Sequence, residues 1–200
     1  IESLDKIYTG RRLIENLPTE TIDSLYTQPY HIDGDMLPEI KSPIPNKNFI
    51  LRNEHKSALA TYDSMEDQYY KIDKTPAYGI TPRNSEQAFA LAALINPKIQ
   101  LVTLSGKAGT GKTLMAIAAG LEMTITQEKY SRLLVSRPIQ PMGRDLGYLP
   151  GDVNEKLAPW MQPIFDNMDF LFGQFKSGSS TWEEMINQGL LHIEPLTYIR

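Results

Sequence analysis

The stretch LSGKAGTGKTLM, residues 104–115, decides how the rest of this 200-residue sequence is interpreted. It places three glycines and one alanine within six residues, between an apolar run at 99–104 and a second apolar run that starts at Leu114. Glycine loses more backbone freedom on folding than other residues, so a cluster of glycines indicates a backbone shape that side chains would prevent. The sequence therefore predicts a buried-type strand at Leu101–Leu104, a tight loop, and a helix over Thr113–Thr126.

Residues 106–113, GKAGTGKT, fit the pattern G-x-x-x-x-G-K-[ST] with no mismatch, between a predicted strand and a predicted helix. The glycines let successive backbone N–H groups point inward at an anion, and the helix adds its positive N-terminal end. The predicted catalytic residues are Lys112, which would reach the β- and γ-phosphate oxygens, and Thr113, whose hydroxyl would ligate Mg²⁺. The predicted nucleotide-binding residues of the loop and helix are Gly106, Ala108, Gly109, Thr110, Gly111, Lys112, Thr113 and Leu114.

A glycine-rich turn can match this pattern by chance. With Gly at about 7% of residues, a chance match is expected in roughly one chain in a hundred of this size. The flanking strand and helix lower that figure further, so nucleotide binding is favoured. Lys107 also lies in the loop, where it can simply be solvated.

Composition and charge restrict the classes of protein to which the chain can belong. Hydrophobic residues make up 41% of the sequence, which is enough for a packed core. Residues 1–74 hold 9 basic and 13 acidic side chains and residues 75–200 hold 11 of each, so neither half has the broad basic surface of a DNA-binding domain. The sequence has no cysteine, no signal-peptide pattern and no apolar run that could cross a bilayer, and we expect a cytoplasmic protein.

The chain changes character near residue 75. Residues 1–74 contain short segments broken by Pro, Gly and Asn, which predicts a small β-rich module with a proline-rich loop at Asp33–Asn46. Its predicted elements are a helix at Pro18–Tyr26, strands at Asn48–Arg52 and Ser57–Tyr62 around a turn at Asn53–Lys56, and a strand at Tyr69–Ile72.

From residue 75 onwards helices and strands alternate, which favours an α/β fold with a mostly parallel sheet and helices on its faces. Residues 138–151 hold three prolines and three glycines and are expected to form a shaped loop. The predicted elements are a helix at Asn84–Ile95, strands at Arg132–Ser136 and Leu190–Glu194, a helical stretch over Asp152–Phe172 interrupted by Pro159 and Pro163, and a helix at Trp182–Gln188.

Gln87 and Tyr78, which both precede the loop in the sequence, are candidates for contact with the nucleotide base. The amide of Gln87 can pair with the N6 and N7 edge of adenine and so select ATP over GTP. It also stands three residues after Asn84, which is the spacing of a helix capping box. Tyr78 can stack on the base or pack between the two modules, and both interpretations stay open.

Residues after the second predicted strand are candidates for a substrate site, because ligands of open α/β sheets bind beyond the carboxyl ends of the strands. Arg137 can hold a substrate phosphate or a γ-phosphate across a subunit boundary, or it can form a structural ion pair with Asp145 or Asp152, and the same alternatives apply to Arg144. Trp160, Phe165, Phe170 and Phe172 can stack on bases, but aromatic residues at near-helical spacing are more often core. His31, His55 and His192 have no metal-ligand spacing.

Several longer stretches resemble the PhoH family of ATPases. They are YGITPRNSEQ at 78–87, VTLSGKAGTGKT at 102–113, RPI from Arg137, GYLPGD at 147–152 and KLAPWMQPI at 156–164. The glycine loop is common to many families, whereas LPGD followed by PWMQP is much more specific. The leading segment LDKIYTG is similar to the stretch that joins a PIN ribonuclease domain to the PhoH domain in longer members.

The resemblance implies a RecA-like P-loop core related to superfamily 1 helicases. It implies hydrolysis of ATP with Mg²⁺, a hexameric ring and single-stranded RNA as a partner, with Gln87 as the adenine-reading residue. It also implies that the segment after Arg137 holds single-stranded nucleic acid, with Arg137 and Arg144 as the candidate residues.

One departure from the family pattern bears on activity. The acidic D-E-A-Q box of the family would follow Arg200, and a PIN-like domain would precede Ile1. We therefore expect residues 1–200, as the linker module and the first part of the ATPase domain, to bind ATP weakly and not to turn it over.

Three hypotheses for function remain at this point. The leading one is an ATP-driven motor on RNA, whose ATPase rate would rise with single-stranded RNA. The second is a small-molecule phosphotransferase with 138–151 as a lid, which a metabolite would stimulate instead. The third is a scaffold that senses nucleotide without hydrolysis and changes its oligomeric state.

Overall fold

The computed structural model describes residues 10–138, 153–174 and 181–196, with the backbone alone for residues 153–160 and Pro195. These residues form two compact units. The first unit contains the described residues up to Thr75 together with Pro82–Asn96, and the second contains Pro76–Thr81 and the described residues from Pro97 onwards. The domain boundary predicted at residue 75 stays a prediction.

A five-stranded sheet in the order β1-β3-β4-β5-β2 forms most of the first unit. Strands β2–β5 pair antiparallel, and β1 runs parallel to β3. The bounds are β1 Arg11–Ile14, α1 Thr19–Ser24, β2 His31–Asp33, β3 Asn48–Arg52, β4 Ser57–Asp63 and β5 Gln68–Lys71. The helix and the three strands predicted for this region are confirmed to within about two residues at each end.

The turn between β3 and β4 follows from its asparagine. The side-chain oxygen of Asn53 accepts hydrogen bonds from the backbone N–H groups of His55 at 2.9 Å and Lys56 at 2.7 Å. An asparagine that bonds its own turn in this way favours chain reversal over strand continuation. The turn therefore fixes the register in which Arg52 lies opposite Ser57.

The core of the first unit lies on one face of this sheet, because alternate residues of a strand point to opposite faces. Phe49 and Tyr69 are fully buried there, with their rings edge to face and their centroids 5.2 Å apart. The same core cluster contains Ile22 of helix α1, Leu25 just after that helix, Ile32 of β2 and Leu37. A small unit can bury a substantial apolar core in this way with one sheet face and one short helix.

Strands β1 and β2 were not predicted. Each has only three or four residues, and three of the four β1 residues are exposed. Short edge strands carry little of the alternation on which a sequence prediction depends.

Helix α2, Ser85–Leu94, belongs to the first unit and confirms the helix predicted at Asn84–Ile95. It begins where predicted because the side chain of Asn84 accepts a hydrogen bond from the backbone N–H of Gln87 at 2.9 Å.

In its described residues, the second unit contains four helical elements and one parallel pair of strands. Helix α3 continues without a break into a π-helical turn, and β6 pairs parallel with β7, with Leu133 opposite Leu191. The bounds are α3 Lys112–Leu121, the π-helical turn Glu122–Thr126, β6 Leu133–Arg137, α4 Val153–Phe172, α5 Trp182–Asn187 and β7 Leu191–Pro195. The helix predicted at Thr113–Thr126 and both predicted strands are confirmed.

Helix α4 corrects the prediction that Pro159 and Pro163 interrupt the helical stretch. The helix runs unbroken for 20 residues through both prolines. A helix-interior proline costs about 3 kcal/mol or more, but α4 buries four large side chains on one stripe. Pro163 lies on the exposed side, so its ring points away from the core. The buried stripe is Met161, Ile164, Met168 and Leu171.

The strand predicted at Leu101–Leu104 is wrong, because residues 99–107 form no strand. Leu101 is 83% exposed, and β6 is paired on one side, with β7. A strand forms only where a neighbouring strand completes its ladder of hydrogen bonds, and no described strand is paired with this segment. The mixed α/β class is confirmed, whereas the RecA-like parallel core remains a prediction.

Within the described ranges, no helix is both long and apolar enough to span a membrane.

Candidate nucleotide-binding site

The glycine loop leads directly into helix α3. Gly111 has φ +82° and ψ 13°, and Gly109 has φ +74°. Both values lie in the left-handed region, which costs an L-residue roughly 1–2 kcal/mol and glycine almost nothing. The first helical hydrogen bond runs from the N–H of Met115 to the carbonyl of Gly111 at 2.9 Å. The glycines thus turn the chain sharply enough for the helix to begin at Lys112.

The ammonium group of Lys112 bends back over the loop. Its Nζ donates to the carbonyl oxygens of Gly106 at 2.9 Å and Lys107 at 2.7 Å, and it lies 3.4 Å from the hydroxyl oxygen of Thr110. The Thr110 hydroxyl in turn donates to the carbonyl of Lys107 at 2.9 Å. These hydrogen bonds hold the positive charge of Lys112 against the loop, where it would attract an anion.

Electrostatics at the start of α3 also favour an anion. The first turn of this helix contains no acidic residue. The first four backbone N–H groups of a helix have no partner within it, and together with the helix dipole they attract negative charge. Residues 105–110 are exposed, so solvent and ligands can reach this end of the helix.

The residues present fit a magnesium ion held mostly by its substrate. Thr113 is exposed in the first turn of α3, and its hydroxyl is an oxygen ligand of the kind that Mg²⁺ takes. No group of three or more His, Cys, Asp or Glu with metal-site geometry occurs within residues 10–138, 153–174 and 181–196. Mg²⁺ usually keeps several waters and binds substrate phosphates, so a site with one protein hydroxyl as a ligand is compatible with this ion.

Gln87 lies in the first unit, whereas residues 106–113 lie in the second. Its backbone N–H donates to the Asn84 side chain, and its side-chain Oε1 accepts from the backbone N–H of Arg83 at 2.8 Å. Gln87 therefore takes part in capping the helix, as the capping interpretation expects. Its side chain accepts from the backbone N–H of Arg83, whereas a standard capping box would use the N–H of Asn84. The adenine-reading interpretation stays a prediction.

Tyr78 packs inside the second unit. Its ring lies 5.6 Å from that of Phe172, and its backbone N–H donates to Glu122 Oε2 at 2.9 Å. Burial, and secondarily the charge of Glu122, raises the pKa of the Tyr78 hydroxyl. Sequence reasoning missed Glu122, because a contact across 44 residues leaves no local signal.

The candidate nucleic-acid residues are only partly described. Arg137 is exposed at the carboxyl end of β6, whereas Arg144 and the acids proposed to pair with these arginines lie outside the described residues. Phe165 stacks on Trp182 at 5.4 Å, and the Trp182 indole N–H donates to Asp169 at 2.7 Å.

The aromatic residues of α4 divide between core and surface. Phe165 and Phe172 are partly buried against the core, as the core interpretation expects, while Phe170 is exposed. Nothing is described of the Trp160 side chain.

A glycine loop that turns through left-handed conformations into a helix, with a lysine bent over it, has the loop and the helix of a P-loop protein, although residues 99–107 form no strand before it. The model of the family described as "PhoH-like protein" matches residues 79–200. The chain therefore belongs to the PhoH-like protein family, whose members are P-loop proteins of the ATPase type.

The matched relatives carry PhoH names. The chain is 52% identical to Protein PhoH2 of Bacillus subtilis over 161 residues, which is 78% of this chain and 36% of that protein. It is 39% identical to Protein PhoH2 of Mycolicibacterium smegmatis over 124 residues, 62% of this chain and 27% of that protein. It is 33% identical to Protein PhoH of Escherichia coli K12 over 123 residues, 60% of this chain and 32% of that protein.

The chain thus spans about a third of the length of the curated relatives it matches. No solved structure matches it.

Proposed function

We propose that this chain binds ATP with Mg²⁺ through residues 106–113. The observation that carries the proposal is the position of the Lys112 ammonium, which is held by the carbonyl oxygens of Gly106 and Lys107. Phosphate oxygens are better partners for an ammonium group than neutral carbonyls, because the hydrogen bond then joins two charged groups. A triphosphate would accept these hydrogen bonds in place of the two carbonyl oxygens, because the Lys112 side chain already lies over the loop.

The proposed reaction of the whole protein is hydrolysis of ATP, in which water attacks the γ-phosphorus in line with the departing β–γ bridging oxygen. Lys112 would neutralise charge on the β- and γ-phosphate oxygens, and the α3 N-terminus would orient the phosphates. The Thr113 hydroxyl would be one ligand of Mg²⁺, which would supply further charge neutralisation. Gln87 would select adenine through the N6 and N7 edge of the base.

We further propose that hydrolysis drives movement on single-stranded RNA, in a hexameric ring and coupled to a ribonuclease domain of the whole protein. The resemblance to PhoH members fused to PIN domains supports this. The exposure of Arg137 at the carboxyl end of β6, where open α/β sheets bind ligands, also supports it. Arg144 is proposed to act beside it.

Phosphate release by the intact protein, with and without single-stranded RNA, tests this proposal. We expect RNA to raise the rate and the RNA affinity to fall steeply as salt increases, since phosphate contacts release counterions. Arg137→Ala should weaken RNA binding, whereas Arg132→Ala, an exposed arginine just before the other end of β6, is the matched control. A rate that RNA leaves unchanged would count against the motor, and equal losses in both variants would count against a specific role for Arg137.

A further inference from the structure

The start of helix α2 holds the side chain of Gln87 in one place. Asn84 caps the helix through the N–H of Gln87, and the carbonyl of Asn84 accepts from Ala88 at 3.1 Å. The side-chain oxygen of Gln87 is turned back to the N–H of Arg83. The direction of this carboxamide is therefore set by the backbone position of α2's first turn.

That first turn is tied to the sheet of the first unit by an ion pair. Arg11 Nε lies 2.9 Å from Glu86 Oε1, and Glu86 is the neighbour of Gln87 in the chain. Both side chains are about half exposed, at 42% and 52%. The ion pair joins β1 to α2, and its two residues lie 75 positions apart in the sequence.

Each partner of the pair is itself held. Arg11 lies in β1 opposite Asn48 of β3, and the backbone N–H and side-chain amide of Asn48 both donate to the Gly10 carbonyl at 3.2 Å. On the other side, the Ser85 hydroxyl donates to Glu86 Oε2 at 2.9 Å. A hydrogen bond from its own backbone N–H, then the Ser85 hydroxyl and the charge of Arg11, lower the pKa of Glu86. The Glu86 carboxylate is therefore in the charged form that pairs with Arg11.

We propose that Arg11 is a positioning residue for base selection: it holds the first turn of α2 through Glu86 and thereby fixes the Gln87 carboxamide. This rests on the proposed role of Gln87 in reading adenine.

The test compares the affinities of the intact protein for ATP and GTP, measured by calorimetry. Arg11→Ala should lower the preference for ATP by about two- to fivefold, the range that one exposed ion pair can supply. Arg12→Ala is the matched control, since Arg12 is the next residue of β1 and is also exposed. The charge-swapped protein R11E/E86R should recover preference that Arg11→Ala loses.

A double variant separates positioning from general stability. In a Gln87→Ala protein, Arg11→Ala should cause no further loss of preference, because residues that act through one another are not additive. A structural role alone would weaken ATP and GTP binding equally, in the wild-type as well as in the Gln87→Ala background, and would leave the preference for ATP unchanged.

Two failures can be told apart. If wild-type protein binds ATP in a Lys112-dependent way and prefers it to GTP, but Arg11→Ala leaves the preference intact, the positioning role is refuted and the proposed function stands. If wild-type protein does not bind ATP, or binds ATP and GTP equally, the role of Gln87 fails and the inference fails with it.

Discussion

The Nζ atom of Lys112 lies 2.7 Å from the carbonyl oxygen of Lys107, so the contact joins the side chain of one lysine to the backbone of the other. Lys112 contributes its charge, whereas Lys107 contributes its backbone in this contact. The pair therefore offers a test in which one lysine is essential and a neighbour of the same type is not.

Replacement of Lys112 by Ala should weaken ATP binding by about 10- to 100-fold, the range for losing hydrogen bonds to a charged group. The measurement is titration calorimetry of the intact protein with Mg-ATP. Lys107→Ala keeps the carbonyl oxygen and should bind within about twofold of wild type, because an exposed lysine contributes little. Equal affinities for wild type and Lys112→Ala would contradict the assignment.

Gly109 and Gly189 have the same φ of +74°, and a Cβ atom on either would meet nothing within 4 Å. Alanine at each position therefore adds the same backbone strain, about 1–2 kcal/mol. We expect both variants to unfold at lower temperature, but only Gly109→Ala to lose ATP affinity, because only that strain deforms the loop. Differential scanning calorimetry and an ATP titration on both proteins make the comparison, and a parallel loss of ATP affinity in both would show that strain anywhere in the second unit suffices.

Leu171→Ala should destabilise the second unit by about 2–5 kcal/mol, since it removes a fully buried side chain and leaves a cavity. Phe170→Ala is its control, because that neighbouring ring is 55% exposed and should change stability by less than about 1 kcal/mol. Urea unfolding gives both values. Similar losses in the two proteins would mean that α4 does not bury the stripe described here.

Burial raises the pKa of Tyr69 to about 12 from an ordinary value of 10.0. A group whose pKa is higher in the folded state favours folding below the unfolded-state value and loses that contribution as pH rises through the folded value. The first unit should therefore lose stability between about pH 10 and pH 12.

Part of this alkaline loss should disappear in Tyr69→Phe, compared by urea unfolding at pH 8 and pH 11. At pH 8 the variant should be as stable as wild type or more stable, because in the described part of the chain the Tyr69 hydroxyl is buried without a hydrogen-bond partner. An unchanged alkaline loss would indicate that other groups account for it.

The sequence was most informative where one residue type has one structural consequence. Asn53 and Asn84 predicted a turn and a helix start because an asparagine side chain bonds nearby N–H groups. The glycines at 109 and 111 predicted the loop because left-handed backbone excludes most other residues.

Elements that depend on distant partners were not predictable. Leu101–Leu104 has the composition of a buried strand, yet strand formation needs a neighbour whose identity is not written in those four residues. Pro163 was expected to break a helix, but its exposure and the buried stripe on the opposite side could only be known from the packing. The contact of Glu122 with Tyr78 likewise depends on the fold.

Hydrogen exchange of the backbone amides at residues 106–113 tests the central claim most directly. With saturating Mg-ATP, the N–H groups of this loop would hold phosphate oxygens, so their exchange should slow markedly while that of the exposed turn at Asn53–Lys56 stays the same. Unchanged exchange at 106–113 in protein that is saturated with ATP would show that the triphosphate binds elsewhere.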